Sequence, residues 1–248
     1  MSFPLDLARP EIRALRAYEH AVWDPAHERL HANESPWRPL GDQTVAGLNR
    51  YPEPQPHELV AALAALYGVA PEQLLVGRGS DEAIDLLTRA FCQAGRDAVV
   101  VCPPTFGMYA VAAGIQGAAV RRVPLRRDSG FALDVAGVCA ALDASVRIVW
   151  LCSPNNPTGN SIEPAAIEAV LAAANGRALV VVDEAYAEFS TAPSWVERIA
   201  QHPHLVVLRT LSKAHGLAGA RVGALIAIPG IVALLRKIIP PYAMAQPT

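Results

Sequence analysis

Lysine is almost absent from this sequence of 248 residues. Lysine and arginine together number 21, and two of these residues, Lys213 and Lys237, are lysines. Neither sign of charge dominates, because the formal net charge is −2, so the charge gives no reason to expect a nucleic acid or a membrane surface as partner. Lysine can lose its proton and attack a carbonyl, whereas arginine cannot. Each retained lysine is therefore a candidate for amine chemistry.

Paired cysteines and long apolar runs are also missing. The four cysteines stand singly, without a CxxC pair or Cys/His ligand spacing, which argues against a disulfide framework and against a metal site. Buried free thiols in a reducing cytosol are the simpler interpretation. The first residues hold Pro and Asp where a signal peptide needs an apolar stretch, and no run of about 18 apolar residues is free of charge or proline. We therefore expect a cytoplasmic protein that does not span a membrane.

Helix-like and strand-like segments alternate after a proline-rich start. Apolar and β-branched runs predict strands at 73–76, 98–102, 147–152, 179–182, 205–208 and 224–228. Helical spacing of apolar residues predicts helices at 57–67, 80–93, 106–113, 164–174 and 231–239. Short apolar strands separated by helices are typical of an α/β fold whose largely parallel sheet is covered on both faces. In such sheets, functional groups gather at the loops that leave the carboxyl ends of the strands.

The string GRGSDE, from Gly77 to Glu82, follows the first predicted strand and opens a helix. Glycines at a helix entry let backbone N–H groups and the positive end of the helix dipole face an anion, typically a phosphate. The alternative is an ordinary helix start, in which Ser80 caps the helix and Asp81 and Glu82 favour the dipole. Both interpretations stay open on this string alone.

The string SPNNPTG, from Ser153 to Gly159, follows another predicted strand. Two prolines and a glycine fix the backbone, so an asparagine side chain here is held rigidly over the edge of the sheet. Asn-Pro and Thr-Gly also occur in ordinary turns, which is the alternative interpretation. The length of the constrained string favours a functional loop.

An acidic pair, Asp183 and Glu184, comes directly after a run of valines. Burying a carboxylate there is costly unless a cation or a hydrogen-bond donor meets it. Such an acid serves a site, caps the next helix or pairs with one of the many arginines. Tyr186 points the same way if the chain turns helical after the strand.

Lys213 lies in the string TLSKAHG, just past a predicted strand. Its retention in a chain that otherwise uses arginine favours covalent bonding to a carbonyl over a role as simple charge. The surface interpretation suits Lys237 better, since Lys237 lies in a helix-like segment. Arg221 follows eight residues after Lys213 and can hold a phosphate in two-point contact.

These strand ends together meet the needs of one cofactor. An aldehyde cofactor with a phosphate and a basic ring nitrogen requires a lysine, an acid, donors to its ring oxygen, a stacking aromatic and a phosphate cradle. Pyridoxal 5'-phosphate (PLP) is that cofactor, with a carboxylate that keeps its ring nitrogen protonated. The sequence therefore predicts a PLP site.

Seven motifs carry a resemblance to a known family. They are Asn33-Glu34, Tyr51-Pro52, GRGSDE from Gly77, CPPTFGMY from Cys102, SPNNPTG from Ser153, DEAY from Asp183 and TLSKAHGLAGARVG from Thr210. With these motifs the sequence resembles the fold-type-I PLP-dependent aminotransferases, and closely the histidinol-phosphate aminotransferases, from about residue 33 to residue 242.

The resemblance implies roles for individual residues. Lys213 bonds covalently to the cofactor, Asp183 pairs with its ring nitrogen and Tyr186 acts beside them. The other expected cofactor contacts are Asn156 with Tyr186 at the ring hydroxyl, Phe106 stacked on the ring, and Gly79, Ser80, Asp81, Ser212 and Arg221 at the phosphate. The resemblance also implies a homodimer in which Tyr51 reaches the partner subunit's cofactor phosphate. Asn33 and Glu34 are expected to bind substrate.

The implied reaction converts L-histidinol phosphate and 2-oxoglutarate to imidazole acetol phosphate and L-glutamate, a step of histidine biosynthesis. Residues 1–45 are expected to form an N-terminal arm and part of a small domain, and residues 46–248 the PLP-binding large domain. The resemblance further implies about a hundred more residues, a domain's worth, forming a C-terminal small domain that this chain lacks. Related PLP enzymes, namely an aromatic aminotransferase or a threonine-phosphate decarboxylase, and a non-catalytic PLP-binding remnant are the alternatives.

Overall fold

The structure, a computed structural model, describes residues 3–19 and 26–245. Within those residues the chain forms a sheet of seven strands and seven α-helices. The strands are β1 Leu74–Arg78, β2 Ala98–Val101, β3 Ala119–Arg122, β4 Val146–Cys152, β5 Leu179–Asp183, β6 Leu205–Thr210 and β7 Val222–Ile226. The helices are α1 Pro10–Ala14, α2 His57–Tyr67, α3 Ser80–Phe91, α4 Met108–Gln116, α5 Val135–Ala141, α6 Pro164–Ala174 and α7 Pro229–Leu235.

The sheet is mixed but mostly parallel, in the order β1-β7-β6-β5-β4-β2-β3. Strands β2 to β6 run parallel to one another, whereas β7 is antiparallel to both of its neighbours, β6 and β1. Strand β1 therefore points the same way as β6. As a result, the carboxyl ends of β1, β2, β4, β5 and β6 meet the amino end of β7 at one edge. The predicted α/β class is confirmed.

Helices cover both faces of the sheet. Along β5, Val180 and Val182 pack into one apolar cluster with residues of α2, α5 and α6, while Leu179 and Val181 pack into the other with residues of α3, α4 and α7. All four side chains have no exposed surface. The strand reads as a continuous apolar run because alternate residues face two different helical layers.

Helices α2 and α6 have the bounds that the sequence predicts. Helix α2 ends where Gly68 adopts a left-handed conformation with φ of 66° and donates its N–H to a carbonyl of the last turn. Helix α6 begins with Pro164 in its first turn, where no intrahelical N–H is needed.

Elsewhere the structure shifts or adds elements. The predicted helix at 106–113 begins two residues later, at Met108, and runs three residues further, to Gln116. Strand β3 was not predicted because it is a partly exposed edge strand that holds two arginines, and α5 was not predicted because it spans only seven residues. Strand β7 begins at Val222 rather than residue 224, since Gly223 pairs with Thr210 of β6.

The N-terminal segment 3–14 packs on the face of the sheet that α3 and α7 cover. The backbone N–H of Arg9 donates to the carbonyl of Ala90 at 2.9 Å, and Lys237 Nζ donates to the carbonyl of Arg13 at 2.8 Å. Lys237, which the sequence predicts to be a surface lysine, is partly exposed and has this backbone partner.

The described residues 26–56 form neither helix nor strand. The predicted domain boundary at residue 45 falls in this segment and stays a prediction. The outer ends of the two predicted domains, residues 1 and 248, lie outside the described residues. In the part of the chain that the structure describes, no helix has the length and apolar character needed to cross a bilayer.

Replacing Ile167 by alanine tests the packing of α6 on the sheet. Ile167 is completely buried, so we expect Ile167→Ala to lower the free energy of unfolding by about 2–5 kcal/mol, from lost burial and a residual cavity. Ile115 in α4 is 78% exposed, so Ile115→Ala is the matched control. It is expected to change the free energy of unfolding by less than about 0.5 kcal/mol. Urea denaturation measures both, and equal changes for the two variants would contradict the packing described.

Candidate active site

A cavity of about 160 Å³ opens at the edge where the strand ends meet. Five loops line it: the β1–α3 loop, the loops after β2, β4 and β5, and the β6–β7 connection. Of the predicted cofactor-binding residues, the structure brings ten to this cavity: Gly79, Ser80, Asp81, Phe106, Asn156, Asp183, Tyr186, Ser212, Lys213 and Arg221.

The β1–α3 loop presents the start of a helix to the cavity. Helix α3 begins at Ser80, and the cap position is Gly79, with φ of 78° and no side chain to accept a hydrogen bond. Ser80 is therefore the first helical residue and not the cap, so the N–H groups of the first turn are left for another acceptor. Because α3 is twelve residues long, its positive dipole end adds to the attraction for an anion.

Arg221 joins this helix start to the β6–β7 connection. Its guanidinium donates to the carbonyl of Arg78 at 3.2 Å, to Asp81 Oδ2 at 3.4 Å and to Ser212 Oγ at 3.5 Å. A Cβ on Gly79 would lie 2.5 Å from Arg221 Nη2, so a larger residue at position 79 would push the end of the arginine side chain aside. Arg221 reaches this place because β7 is antiparallel and starts at the cavity edge.

Gly223 makes room for the same loop. A Cβ on Gly223 would lie 2.3 Å from the carbonyl carbon of Gly79 and 2.4 Å from the nitrogen of Ser80, far inside contact distance. Backbone therefore packs on backbone here, which only glycine permits. Sequence reasoning did not single out Gly223, although its place in the GARVG string was the available signal.

Asp183 ends β5 at the floor of the cavity and is 2% exposed. The hydroxyl of Tyr109 donates to its Oδ2 at 2.7 Å, and the N–H of Ala185 donates to its Oδ1 at 3.1 Å. Tyr109 is itself completely buried and stacks on Trp150, with ring centroids 5.0 Å apart. Among the described residues, hydrogen-bond donors and not a cation meet this carboxylate.

Burial raises the pKa of Asp183 from its ordinary value of 3.8 to about 6. The two hydrogen bonds oppose this rise, and the negative charges of Asp81 and Glu184 add to it. Burial also holds the pKa of Tyr109 well above its usual range, so the phenol keeps its proton and donates it. The cavity therefore holds an anionic group whose charge lacks a cationic partner.

The neighbouring acid, Glu184, faces the other way and has the cation that Asp183 lacks. Arg209 donates to Glu184 Oε2 at 2.9 Å, and Ser194 and the backbone of Trp195 donate to the same carboxylate at 2.6 and 2.7 Å. Of the three roles that the sequence left open for this acidic pair, pairing with an arginine falls on Glu184, whereas Asp183 faces the cavity.

Asn155, rather than Asn156, holds the SPNNPTG loop together. Its side chain is buried, donates to the carbonyl of Pro104 at 2.9 Å and accepts from the hydroxyl of Thr105 at 3.0 Å. This side chain ties the loop after β4 to the loop after β2. Asn156 is thereby left to line the cavity, and Phe106 lines it from the other loop, edge-on to Tyr109 at 5.7 Å.

Lys213 lies in the β6–β7 connection with an exposed side chain. Its Nζ lies 5.7 Å from the centroid of the Tyr186 ring, so both residues face the same space. The loop closes on itself through Leu217 N–H to the carbonyl of Leu211 and Gly216 N–H to the carbonyl of Lys213, both at 3.0 Å.

Three predicted residues lie outside this cavity. Tyr51 is 48% exposed and stacks on Tyr242 with ring centroids 4.5 Å apart. The Glu34 carboxylate accepts from the backbone of Tyr51 at 2.7 Å and pairs with two arginines, Arg29 and Arg50. Asn33, with φ of 54°, adjoins Glu34. Their roles toward a partner subunit or a substrate stay predictions.

Replacing Asp183 by asparagine tests the uncompensated charge. One pKa unit corresponds to about 1.4 kcal/mol, so the rise from 3.8 to about 6 implies a penalty of about 3 kcal/mol when the folded chain carries the charge. We expect Asp183→Asn to stabilise the cofactor-free chain by up to that amount above pH 6. The gain should shrink as the pH falls from 6 to below 4, where both folded and unfolded chains are protonated.

Asp143 supplies the matched control for that measurement. Hydrogen bonds from Ser145 and Arg121 lower the pKa of this exposed carboxyl to about 2, so Asp143→Asn is expected to reduce stability at neutral pH. Urea denaturation of both variants at pH 7.5 and pH 4 gives the comparison. A loss of stability in Asp183→Asn at pH 7.5 would contradict the buried, uncompensated charge.

Replacing Gly223 by alanine tests the cradle at the start of α3. The added methyl group collides with the backbone of Gly79 and Ser80, so we expect binding of inorganic phosphate and of PLP to weaken at least tenfold. Gly114 lies in α4 with open space around it, and Gly114→Ala is the control that should bind normally. Calorimetric titration measures both ligands, and unchanged binding in Gly223→Ala would show that this loop holds no phosphate.

The comparisons with known proteins agree with this geometry. The family model of aminotransferase class I and II matches residues 32–248. A histidinol-phosphate aminotransferase of Xanthomonas campestris pv. campestris (strain 8004) is 53% identical over 98% of this chain and 68% of its own length.

Two solved structures also match. One, a putative histidinol-phosphate aminotransferase of Erwinia carotovora atroseptica, superposes with a TM-score of 0.70 at 33% identity, over 82% of this chain and 60% of that one. The other, a histidinol-phosphate aminotransferase of Sinorhizobium meliloti in complex with pyridoxal-5'-phosphate, has a TM-score of 0.71 at 31% identity, over 80% of this chain and 54% of that one. This chain thus spans about two thirds of its curated relative and less of the solved chains. It belongs to the class I and II aminotransferases, a PLP-dependent family, and within that family to the histidinol-phosphate aminotransferases.

Proposed function

We propose that this chain carries the cofactor site of an enzyme of histidine biosynthesis. The reaction moves the amino group of L-histidinol phosphate to 2-oxoglutarate and leaves imidazole acetol phosphate and L-glutamate. One observation carries the proposal: a primary amine, Lys213, opens into the same cavity as the buried, unpaired carboxylate of Asp183. The names of the relatives supply histidinol phosphate as the amino donor, and the resemblance of the motifs implies 2-oxoglutarate as the acceptor.

The residues of the cavity fit PLP at each of its functional groups. The uncompensated charge of Asp183 suits a protonated ring nitrogen, because an opposite charge offsets the cost of burying a carboxylate. The uncapped start of α3 and the guanidinium of Arg221 suit a phosphate. Phe106 offers an aromatic face, and Asn156 and Tyr186 offer hydrogen-bonding groups to a ring hydroxyl.

When bound, PLP supplies an aldehyde that condenses with primary amines and a ring that accepts the electron pair left when a C–H bond breaks. Lys213 is the group in the cavity that bonds to the aldehyde, since a primary amine attacks a carbonyl and a guanidinium does not. When it is not bonded to the aldehyde, Lys213 Nζ would act as a general base that takes a proton from the substrate carbon.

Asp183 keeps the cofactor's ring nitrogen protonated. Its carboxylate is held in place by Tyr109 and Ala185, so it meets the ring nitrogen without reorganising. A cation that donates a hydrogen bond to Asp183 lowers the pKa of Asp183, because it stabilises the charged form. The carboxylate then stays ionised at neutral pH. Tyr109 and Trp150 act through Asp183 and are positioning residues.

We also propose a homodimer and a cytoplasmic location. Tyr51 lies outside the cavity of its own chain, and the segment that precedes it exposes large apolar side chains: Leu30, Trp37 and Leu40 are 78–107% exposed. Exposed apolar side chains of this size suit contact with a second copy of the chain, whose cavity Tyr51 would then reach. A reducing compartment suits the four free cysteines.

Exchanging the two lysines for arginine tests covalent capture of PLP. We expect Lys213→Arg to abolish the visible absorption band of bound PLP and the adduct trapped by borohydride, because the reactive amine is gone while the charge stays. Lys237→Arg is the matched control and should keep both signals. Peptide mass spectrometry locates the trapped adduct, and an adduct on Lys237 in the Lys213→Arg variant would contradict the assignment.

The choice of amino donor is tested in the protein loaded with PLP. Mixing it with L-histidinol phosphate, L-phenylalanine or O-phospho-L-threonine converts bound PLP to its amine form only when the donor is accepted. We expect conversion with histidinol phosphate to be faster than with the other two by at least tenfold. Preference for phenylalanine, or loss of carbon dioxide from phosphothreonine, would replace the proposed reaction with one of the related ones.

A further inference from the structure

A buried arginine pairs with two acidic residues close to the Lys213 loop and outside the cavity lining. Arg209 lies on β6 and is 9% exposed, and it donates to Glu184 Oε2 at 2.9 Å and to Glu188 Oε1 at 2.7 Å. Its guanidinium also lies over the ring of Tyr67, 4.9 Å from the centroid. We call Arg209, Glu184 and Glu188 the Arg209 cluster.

The Arg209 cluster adjoins the cavity without lining it. Glu184 follows Asp183 directly in sequence, and Glu188 lies in the short 3₁₀ turn that follows Tyr186. Although burial disfavours its charge, hydrogen bonding and the charges of Arg209 and His215 lower the pKa of Glu188 below its ordinary value. Glu188 is therefore an anion fixed at a defined place beside the cavity.

The loop that carries Lys213 reaches this anion through one side chain. His215 Nε2 lies 3.4 Å from Glu188 Oε1, and both side chains are partly exposed. Arg221 ties the end of the same loop to the start of α3, and the contacts of Leu217 and Gly216 close the loop on itself. His215 thus anchors the middle of the loop, two residues from Lys213.

We propose that His215 is a positioning residue for Lys213, anchored by Glu188, which Arg209 holds in place. The contact between His215 and Glu188 narrows the range of positions open to the Lys213 backbone, so that Nζ faces the cavity more of the time. The inference rests on the proposed function, because it takes Lys213 as the reacting amine. His215 itself touches neither substrate nor cofactor in this account.

The contact between His215 and Glu188 is expected to have a small effect on the opening of the loop. A partly exposed contact between two polar side chains shifts a local equilibrium by about two- to fivefold, so removal of the His215 side chain should raise the population of open loop conformations by that factor. Glutamine places an N–H donor at nearly the reach of histidine Nε2, so His215→Gln should keep most of the contact, whereas His215→Ala should lose it.

Hydrogen exchange in the cofactor-free protein gives the first readout. We expect His215→Ala to speed exchange of the amides in residues 211–217 about two- to fivefold, and His215→Gln to restore most of the protection. The rate at which PLP is captured on Lys213 gives the second readout. It should fall by the same factor in His215→Ala and stay near the wild-type rate in His215→Gln. Glu188→Ala, which removes the acceptor, should resemble His215→Ala, and the double variant should be no worse than either single one.

His202→Ala is the matched control, since His202 pairs with Glu168 at 3.1 Å before β6 begins, away from the cavity. It should alter neither readout. Unchanged loop exchange in His215→Ala, or faster exchange with an unchanged capture rate, would overturn the inference, as would additive effects in the double variant. Failure of the proposed function shows instead in the wild-type protein, which would then take up no PLP.

Discussion

The structure depends on one carboxylate that is buried without a cation. Asp183 ends the middle strand of the sheet, and only hydrogen bonds from Tyr109 and Ala185 meet it among the described residues. The strand order makes this place the floor of the cavity, because β6 and β4 flank β5 and their loops carry Lys213 and Asn156. A ligand with a cationic ring nitrogen removes the electrostatic cost, and a neutral ligand does not.

The same strand shows how a structural acid differs from a functional one. Glu184 is as deeply buried as Asp183, yet its charge is met by Arg209, Ser194 and the backbone of Trp195. Fully satisfied, it stabilises the join between β5 and the following turn. Among the described residues no cation meets Asp183, so burial raises its pKa, and its charge lowers the stability of the cofactor-free chain. Stability is therefore lost at the site and recovered when the cofactor binds.

Sequence reasoning reached the fold and much of the candidate site because both follow local patterns. Alternating apolar strands and helices fix an α/β sheet, and glycine, proline and lysine at strand ends mark its loops. Contacts between distant residues could not be predicted from the sequence. Tyr109 and Asp183 are 74 positions apart, and Gly223 of β7 packs on Gly79, which follows β1. The pairing of β7 with both β1 and β6, which delivers Arg221 to the cavity, is a tertiary choice that no local string encodes.

The ionisation of Asp183 is the quantity on which the account turns. Difference infrared spectroscopy of the wild-type chain against Asp183→Asn isolates the stretching band of this one carboxyl group across a pH titration. The account predicts a pKa of about 6 in the cofactor-free chain and a carboxylate that stays ionised well below that pH once PLP is bound. A pKa near the ordinary value of 3.8 in the cofactor-free chain, unchanged by PLP, would contradict it.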